Sequence, residues 1–435
     1  MIRILKTKKE HQVFLETLKA RGDLDTGLYA EQTKTIVNRV RKVGDEALLD
    51  YTHQWDSKFV TKENMKIDRR VMQQAFESLA PTLQEAMVCS YHRIQVFHEK
   101  QSQKTWLDIK PNGEMLGQRI TPLECVGVYV PGGKASYPSS VFMNAIPAKV
   151  AGVKRVVMVT PSTEDNKQAY GVSPAVLGAA FLAGVDELYT IGGAQAIAAL
   201  AFGTETIPKV DKIVGPGNIY VALAKREVYG YVSIDSIAGP SEILIIADES
   251  ANPKYLAADL LSQAEHDELA SAVLVTPIES LALAVKEEVK RLTEELPRKD
   301  ILQASLKEYS AILVSETLKE ACTLANTIAP EHLELATQYP MAVLPQIKHA
   351  GAIFLGHYTP ESVGDYIAGP NHVLPTNGTA RFFSPLSVDD FIKKSSLISF
   401  SKEALMTVAD HVITFAESES LDAHALAVKV RKEDV

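Results

Sequence analysis

Glu331 and His332 stand side by side directly after Pro330. Glutamate and histidine are the usual proton carriers for acid–base chemistry near neutral pH. Proline is favoured at the first position of a helix, so the pair is expected to open a helix and border one cleft. It could equally be an acid that suits a helix N-terminus beside an incidental histidine. A second set offers nitrogen and oxygen donors. Gln263 and His266 close an expected helix and, three residues apart, share a face. Asp365 lies in Ser362-Val363-Gly364-Asp365-Tyr366, in a loop after an expected strand, where α/β ligands bind. His372 follows in a loop with Gly369 and Pro370, and His424 lies on the last expected helix, after Glu419. Gln263, His266, Asp365 and His424 would together suit zinc or another borderline divalent ion. Their separations match no local metal motif, and each has a plain alternative as a cap, loop or surface residue.

Three glycine turns follow expected strands and open expected helices: Pro131-Gly132-Gly133, Gly192-Gly193-Ala194-Gln195 and Gly215-Pro216-Gly217-Asn218. Such turns let a backbone approach a ligand and aim helix N-termini at phosphate. None completes GxGxxG, because Tyr220 stands where the third glycine would. Tight turns in any doubly wound sheet explain them as well.

The elements that must position these residues change character along the chain. Residues 30–105 are helical in pattern: Thr35–Val43, Asp45–His53, Val71–Leu79 and Leu83–Phe97, with Gly44 and Pro81 as punctuation. His92 and His98 are expected on helix surfaces. From Cys125 onward, short apolar runs alternate with helical stretches, through 125–130, 155–160, 187–191, 212–214, 242–247, 271–276, 311–314 and 352–355. That alternation implies parallel sheets with helices on their faces, in two α/β domains. Residues 126–235 read as one domain inserted in a larger one, made of 26–125 plus 236–375. Residues 1–25 and 376–435 read as terminal arms.

The 435 residues carry a net charge of −9 and 46% hydrophobic side chains. This argues against disorder and against a general nucleic-acid binder. No apolar run is long enough for a membrane span, and the N-terminus does not read as a signal peptide. Cys89, Cys125 and Cys322 are too few and too scattered for a disulfide framework or a CxxC site, which suits a reducing cytoplasm. Their plain role is as small buried hydrophobes.

The strings VGVYVPGGKASYPSSVFMNAIPA (126–148), GVDELYTIGGAQAIAALAFGTE (184–205) and KIVGPGN (212–218) resemble histidinol dehydrogenase. So do AGPSEILIIAD (238–248), DLLSQAEHD (259–267), APEHLEL (329–335), ESVGDYIAGPNHVLPT (361–376) and SLDAHALAVKVR (420–431). The resemblance runs from about residue 30 to 431. It implies two Rossmann-like domains, with 126–235 binding NAD, and N- and C-terminal helical arms used in dimerisation. It also implies a zinc-dependent homodimer that oxidises L-histidinol to L-histidine through L-histidinaldehyde with two NAD, the last step of histidine biosynthesis.

Carried over position by position, Gln263, His266, Asp365 and His424 resemble the zinc ligands, one zinc per subunit. Glu331 and His332 resemble the catalytic pair. Ser241, His372 and Glu419, with Gln263, His266, His332, Asp365 and His424, resemble the substrate contacts. Tyr129, Gln195 and Asn218 resemble the NAD contacts. His424 and Glu419 would come from the partner subunit. A metal-dependent hydrolase, a dehydrogenase of another amino alcohol and a non-enzymatic binding protein are the alternatives; NADH formation and metal dependence separate them.

Overall fold

The short apolar runs become strands covered on both faces. Cys125–Tyr129, Glu242–Ala247 and Ser271–Thr276 are buried at every residue, as strands of a parallel sheet between helix layers must be. The computed structural model describes residues 1–21, 27–132, 137–163, 169–237 and 239–433. Among these residues there are three sheets. The first runs in the order Lys66–Ile67, Glu187–Tyr189, Arg155–Val159, Cys125–Tyr129, Lys212–Val214, Ser233–Ile234, and is parallel except at its edge strand Lys66–Ile67. The second runs Arg3–Leu5, Ala311–Val314, Ser271–Thr276, Glu242–Ala247, His332–Ala336, Ala352–Leu355, parallel throughout. Without the edge strand lent by an earlier segment, both have the doubly wound order third, second, first, fourth, fifth. The expected α/β class with parallel sheets is therefore the observed one.

The grouping of segments differs from the expected one. Residues 1–21 do more than form an arm. Arg3–Leu5 is the edge strand of the second sheet. Ile2 and Leu5 enter the cores on its opposite faces, and helix Lys8–Arg21 buries Phe14 beside Leu5. Residues 22–25, the rest of the expected arm, lie outside the described residues.

The helices of 26–125 pack on the first sheet rather than the second. Ile36, Val37 and Val40 of helix Gly27–Val43 share one core with Ile197 and Val221 of helices Gly193–Phe202 and Ile219–Val228. Arg69–Glu77 and Pro81–Glu99 cover the other face with Pro174–Leu182 and Pro138–Ala151. Gly44, at φ 69, breaks the chain between Gly27–Val43 and Asp45–Trp55 as its position suggests. His98 is buried rather than exposed. Its Nδ1 meets the Ile94 carbonyl at 2.8 Å and its Nε2 meets Asn371 at 3.3 Å. Cys125 and Cys322 are buried as expected; Cys89 is exposed.

Residues 1–101 and 123–391, holding both parallel sheets, form one compact unit. The second unit joins 102–122 to the chain from Ile392 onward, so the expected arm at 376–435 neither starts at 376 nor stands alone. Its sheet is antiparallel: Ile392–Ser399 pairs with Met115–Pro122, which pairs with Trp106–Ile109. Helices Lys402–Ser418 and Asp422–Glu433 follow and pack on each other, tied by Lys429–Glu417 and Lys432–Asp410 pairs at 2.5 Å. Trp106, Leu107, Ile109, Ile398, Phe415 and Leu426 remain exposed in this chain. Among the described residues no helix is long and apolar enough to cross a membrane.

Candidate functional site

Strands Glu242–Ala247 and His332–Ala336 are neighbours where the strand order of the second sheet reverses, with Ile243 opposite His332. Pro330 leads into a strand here and not into the expected helix. Ala329 ends helix Leu318–Ile328 in the left-handed region, and the run His332–Ala336 is buried at every residue. A fully buried five-residue run between two strands is a strand whatever its first residues favour.

The two amino ends exchange hydrogen bonds. Glu242 N–H donates to Glu331 Oε2 at 2.8 Å, and Glu331 N–H donates to Glu242 Oε2 at 3.3 Å. Ala352 N–H donates to the Glu331 carbonyl at 2.9 Å, and a Cβ on Gly351 would strike that carbonyl. His332 Nδ1 lies 2.9 Å from the Glu242 carbonyl. A carbonyl only accepts, so Nδ1 carries the proton and Nε2 keeps its lone pair. That Nε2 is buried without a hydrogen-bond partner, 3.9 Å from both Glu361 Oε1 and Asp365 Oδ1. Burial holds His332 below the usual imidazole range, against the pull of Asp365. Burial also pushes the Glu331 carboxyl well above the usual carboxylate range, with Glu242, Glu361 and Asp365 adding to it.

Helix Pro253–Ala264 brings Gln263 to the same end, fully buried. With its amide nitrogen turned to Glu361 it donates to both carboxyl oxygens, the longer at 2.9 Å, while its oxygen accepts the Glu242 N–H at 3.1 Å. His266 lies just past this helix, its Nδ1 buried and unpartnered. Asp365 lies on a short helix, Glu361–Tyr366, rather than in a loop. His372 Nδ1 is 3.7 Å from Asp365 Oδ1. Ser241 precedes strand Glu242–Ala247, its carbonyl taken by the Ser271 N–H at 3.0 Å.

Glu361 was not singled out in the sequence. It sits four residues before Asp365, one helical turn away on the same face. It accepts from Ser262 at 3.1 Å, and its N–H donates to Glu334 at 2.9 Å. Glu334 and Asp259 lie behind it, both pushed up chiefly by burial.

Donor atoms of His332, Glu361 and Asp365 lie within 4.8 Å of one another. Unpartnered nitrogens on His332 and His266 beside several carboxyls are the donor set a borderline divalent cation takes. The residues fit such an ion. The structure thus brings together Glu331, His332, Gln263, His266, Asp365 and His372. Glu419 and His424 belong to the second unit, where Glu419 ends helix Lys402–Ser418 and His424 is exposed in the first turn of Asp422–Glu433.

The remaining candidates stand at the carboxyl ends of the first sheet. Tyr129, 3% exposed, ends its strand, and its hydroxyl accepts the Gly193 N–H at 3.2 Å. Gly215, at φ 115, is pressed against the Tyr129 carbonyl, where a Cβ would not fit. Gln195, 1% exposed, donates from Nε2 to Asp56 at 3.2 Å, and its Oε1 is buried without a partner. Asp56 also accepts the Gly192 N–H, and burial pushes its carboxyl up to about 6. Asn218 caps helix Ile219–Val228, accepting from Tyr220 and Val221 at 3.0 and 3.2 Å. Gly133, of the first glycine turn, lies outside the described residues.

Known proteins match nearly the whole chain. A family model described as histidinol dehydrogenase covers residues 19–432. A histidinol dehydrogenase from Caldanaerobacter subterraneus subsp. tengcongensis is 55% identical over 99% of each chain, and one from Aquifex aeolicus 54% identical over 97% of this chain and 96% of that protein. The crystal structure of histidinol dehydrogenase from Elizabethkingia anophelis superposes with a TM-score of 0.91 at 35% identity, covering 100% of this chain and 98% of that one. Sequence along nearly the full length and fold over all of it agree, and the chain belongs to the histidinol dehydrogenase family.

Proposed function

We propose that the protein oxidises L-histidinol to L-histidine through L-histidinaldehyde, with two NAD and one zinc per subunit, as the last step of histidine biosynthesis. The observation that carries this is the unprotonated Nε2 of His332, held by the Glu242 carbonyl and facing Asp365 and Glu361 in a buried cluster. Gln263, His266 and Asp365 would hold zinc from this chain. Bound zinc would supply a Lewis acid towards a substrate that carries amine and imidazole nitrogens, and NAD would supply the hydride acceptor.

His332 Nε2 takes the hydroxyl proton as the carbinol carbon loses hydride, which gives the aldehyde. Glu331, hydrogen-bonded through Oε2 to the backbone of Glu242, takes a proton from water as it adds to the aldehyde and later gives it to solvent, while His332 returns its first proton to the carbonyl oxygen, which forms the hydrate. His332 takes the second hydroxyl proton as hydride is lost again. Each oxidation removes one hydride and one proton, so two NADH form per histidine. Ser241 and His372 border the substrate. Tyr129, Gln195 and Asn218 border NAD at the first sheet, whose segment 126–235 is the NAD-binding part.

The exposed apolar surface of the second unit supports a homodimer in which His424 and Glu419 of the partner subunit complete the site. Three unpaired cysteines suit a cytoplasmic enzyme. The test is to incubate the zinc-loaded protein with L-histidinol and excess NAD and count both products. Two NADH per histidine supports the reading. One NADH per aldehyde released, or hydrolysis without NADH, overturns it.

A further inference from the structure

A deeply buried ion pair beside this site brings in a residue that the steps above do not use. Arg21, the last residue of helix Lys8–Arg21, pairs with Glu242, and the two side chains are 1% and 8% exposed. The guanidinium also donates to the Leu269 carbonyl at 2.9 Å and to Asn377 Oδ1 at 3.3 Å. Asn377 holds a left-handed backbone, φ 52, and packs against Gly239, whose N–H donates to Thr376 at 2.7 Å. Arg21 therefore clamps the amino end of one strand to the loop around Asn377. From there Glu242 reaches the acid–base pair by three bonds. Its N–H and its Oε2 meet Glu331, and its carbonyl fixes the Nδ1 proton of His332.

A carboxyl group buried this deeply keeps one orientation only with a hydrogen-bonding partner, and a guanidinium supplies one in a fixed planar fork. A residue that holds the partner of a catalytic group sets the group's rotamer and tautomer without touching substrate. We propose that Arg21 is a positioning residue for the reaction. Through Glu242 it fixes the backbone of Glu331 and keeps the proton of His332 on Nδ1, so that Nε2 is free to act as the base. This rests on the reading of Glu331 and His332 as the acid–base pair. It gives the N-terminal helix a role in turnover besides its role in the core.

The test compares Arg21→Met, Arg21→Lys, Glu242→Gln and the Arg21→Met/Glu242→Gln double variant as full-length, zinc-loaded enzyme. Each is measured for kcat and for KM of L-histidinol, with thermal unfolding as the folding control. Arg21→Met is expected to lower kcat by roughly tenfold to a hundredfold while KM changes by less than about threefold. Arg21→Lys should recover part of kcat. The double variant should be no slower than the worse single variant, because both substitutions break one chain of contacts. A folded Arg21→Met enzyme with unchanged kcat overturns the proposal, as do effects that multiply in the double variant. If Arg21→Met does not fold, unchanged kcat in Glu242→Gln overturns it instead. His332→Asn, run alongside, separates the two claims. Full activity there removes the acid–base reading itself, whereas loss there with unchanged Arg21→Met removes only the role of Arg21.

Discussion

The two parallel sheets share one strand order and offer their polar groups at opposite ends. In the first, Tyr129, the Gly192-Gly193 turn and Asn218 stand at the carboxyl ends of the strands. Helices Gly193–Phe202 and Ile219–Val228 begin there, so the positive ends of their dipoles point at the candidate NAD site, as suits pyrophosphate. In the second, Glu242, Glu331 and His332 stand at the amino ends. Helices Pro253–Ala264 and Leu318–Ile328 finish there, and their negative ends join the carboxyl cluster. That end suits a divalent cation and a protonated amine. The strand order locates a crevice in each sheet; the direction of the helices decides which sign of charge each end receives.

Substitutions at the two ends should separate chemistry from cofactor binding. The largest effect is expected from His332→Asn at the second sheet, which should lower kcat by about 10³-fold. Tyr129→Phe at the first should raise KM for NAD with kcat nearly intact. Equal loss of kcat in both would erase the contrast, and steady-state kinetics with varied NAD decides it.

Metal binding should respond at the second sheet only. Chelation should abolish turnover and added zinc restore it. Glu361→Gln should weaken zinc about 10- to 100-fold through Gln263, as metal analysis after dialysis would report. Asp56→Asn should leave zinc untouched.

Asp56 gives the first sheet a pH signature. Its carboxyl is raised to about 6 by burial, above an unfolded value near 4. Stability from this group is therefore present below about pH 4 and is lost as pH rises through about 6, by up to roughly 1.4 kcal/mol per pH unit. Asp56→Asn should flatten that slope in unfolding titrations, and an unchanged slope would contradict the assignment. The smallest effect is expected from replacing Cys89, Cys125 and Cys322 together by Ala. That should cost stability at the two buried sites and leave kcat unchanged, since the proposed steps use no thiol.

Those buried strands were legible because a continuous apolar run bounded by glycine or proline has few other solutions. The hairpin Trp106–Ile109 and Met115–Pro122 and its partner Ile392–Ser399 were not. They are partly exposed, and their pairing spans some 270 residues. The Arg3–Leu5 edge strand hides for the same reason. At the site, Glu331-His332 stood out as a pair, yet Pro330 suggested a helix, and only the strand register revealed the exchange with Glu242. Glu361 carried a weak signal, its spacing to Asp365. Glu242, Asp56 and Arg21 carried none, because a lone charged residue shows its burial only once the fold has closed around it.

The division of labour between Glu331 and His332 is tested most directly by Glu331→Gln, assayed separately on L-histidinol and on L-histidinaldehyde. Retained oxidation of the alcohol with loss of aldehyde oxidation is the predicted result. Equal loss of both half-reactions would contradict the assignment of Glu331 to water activation.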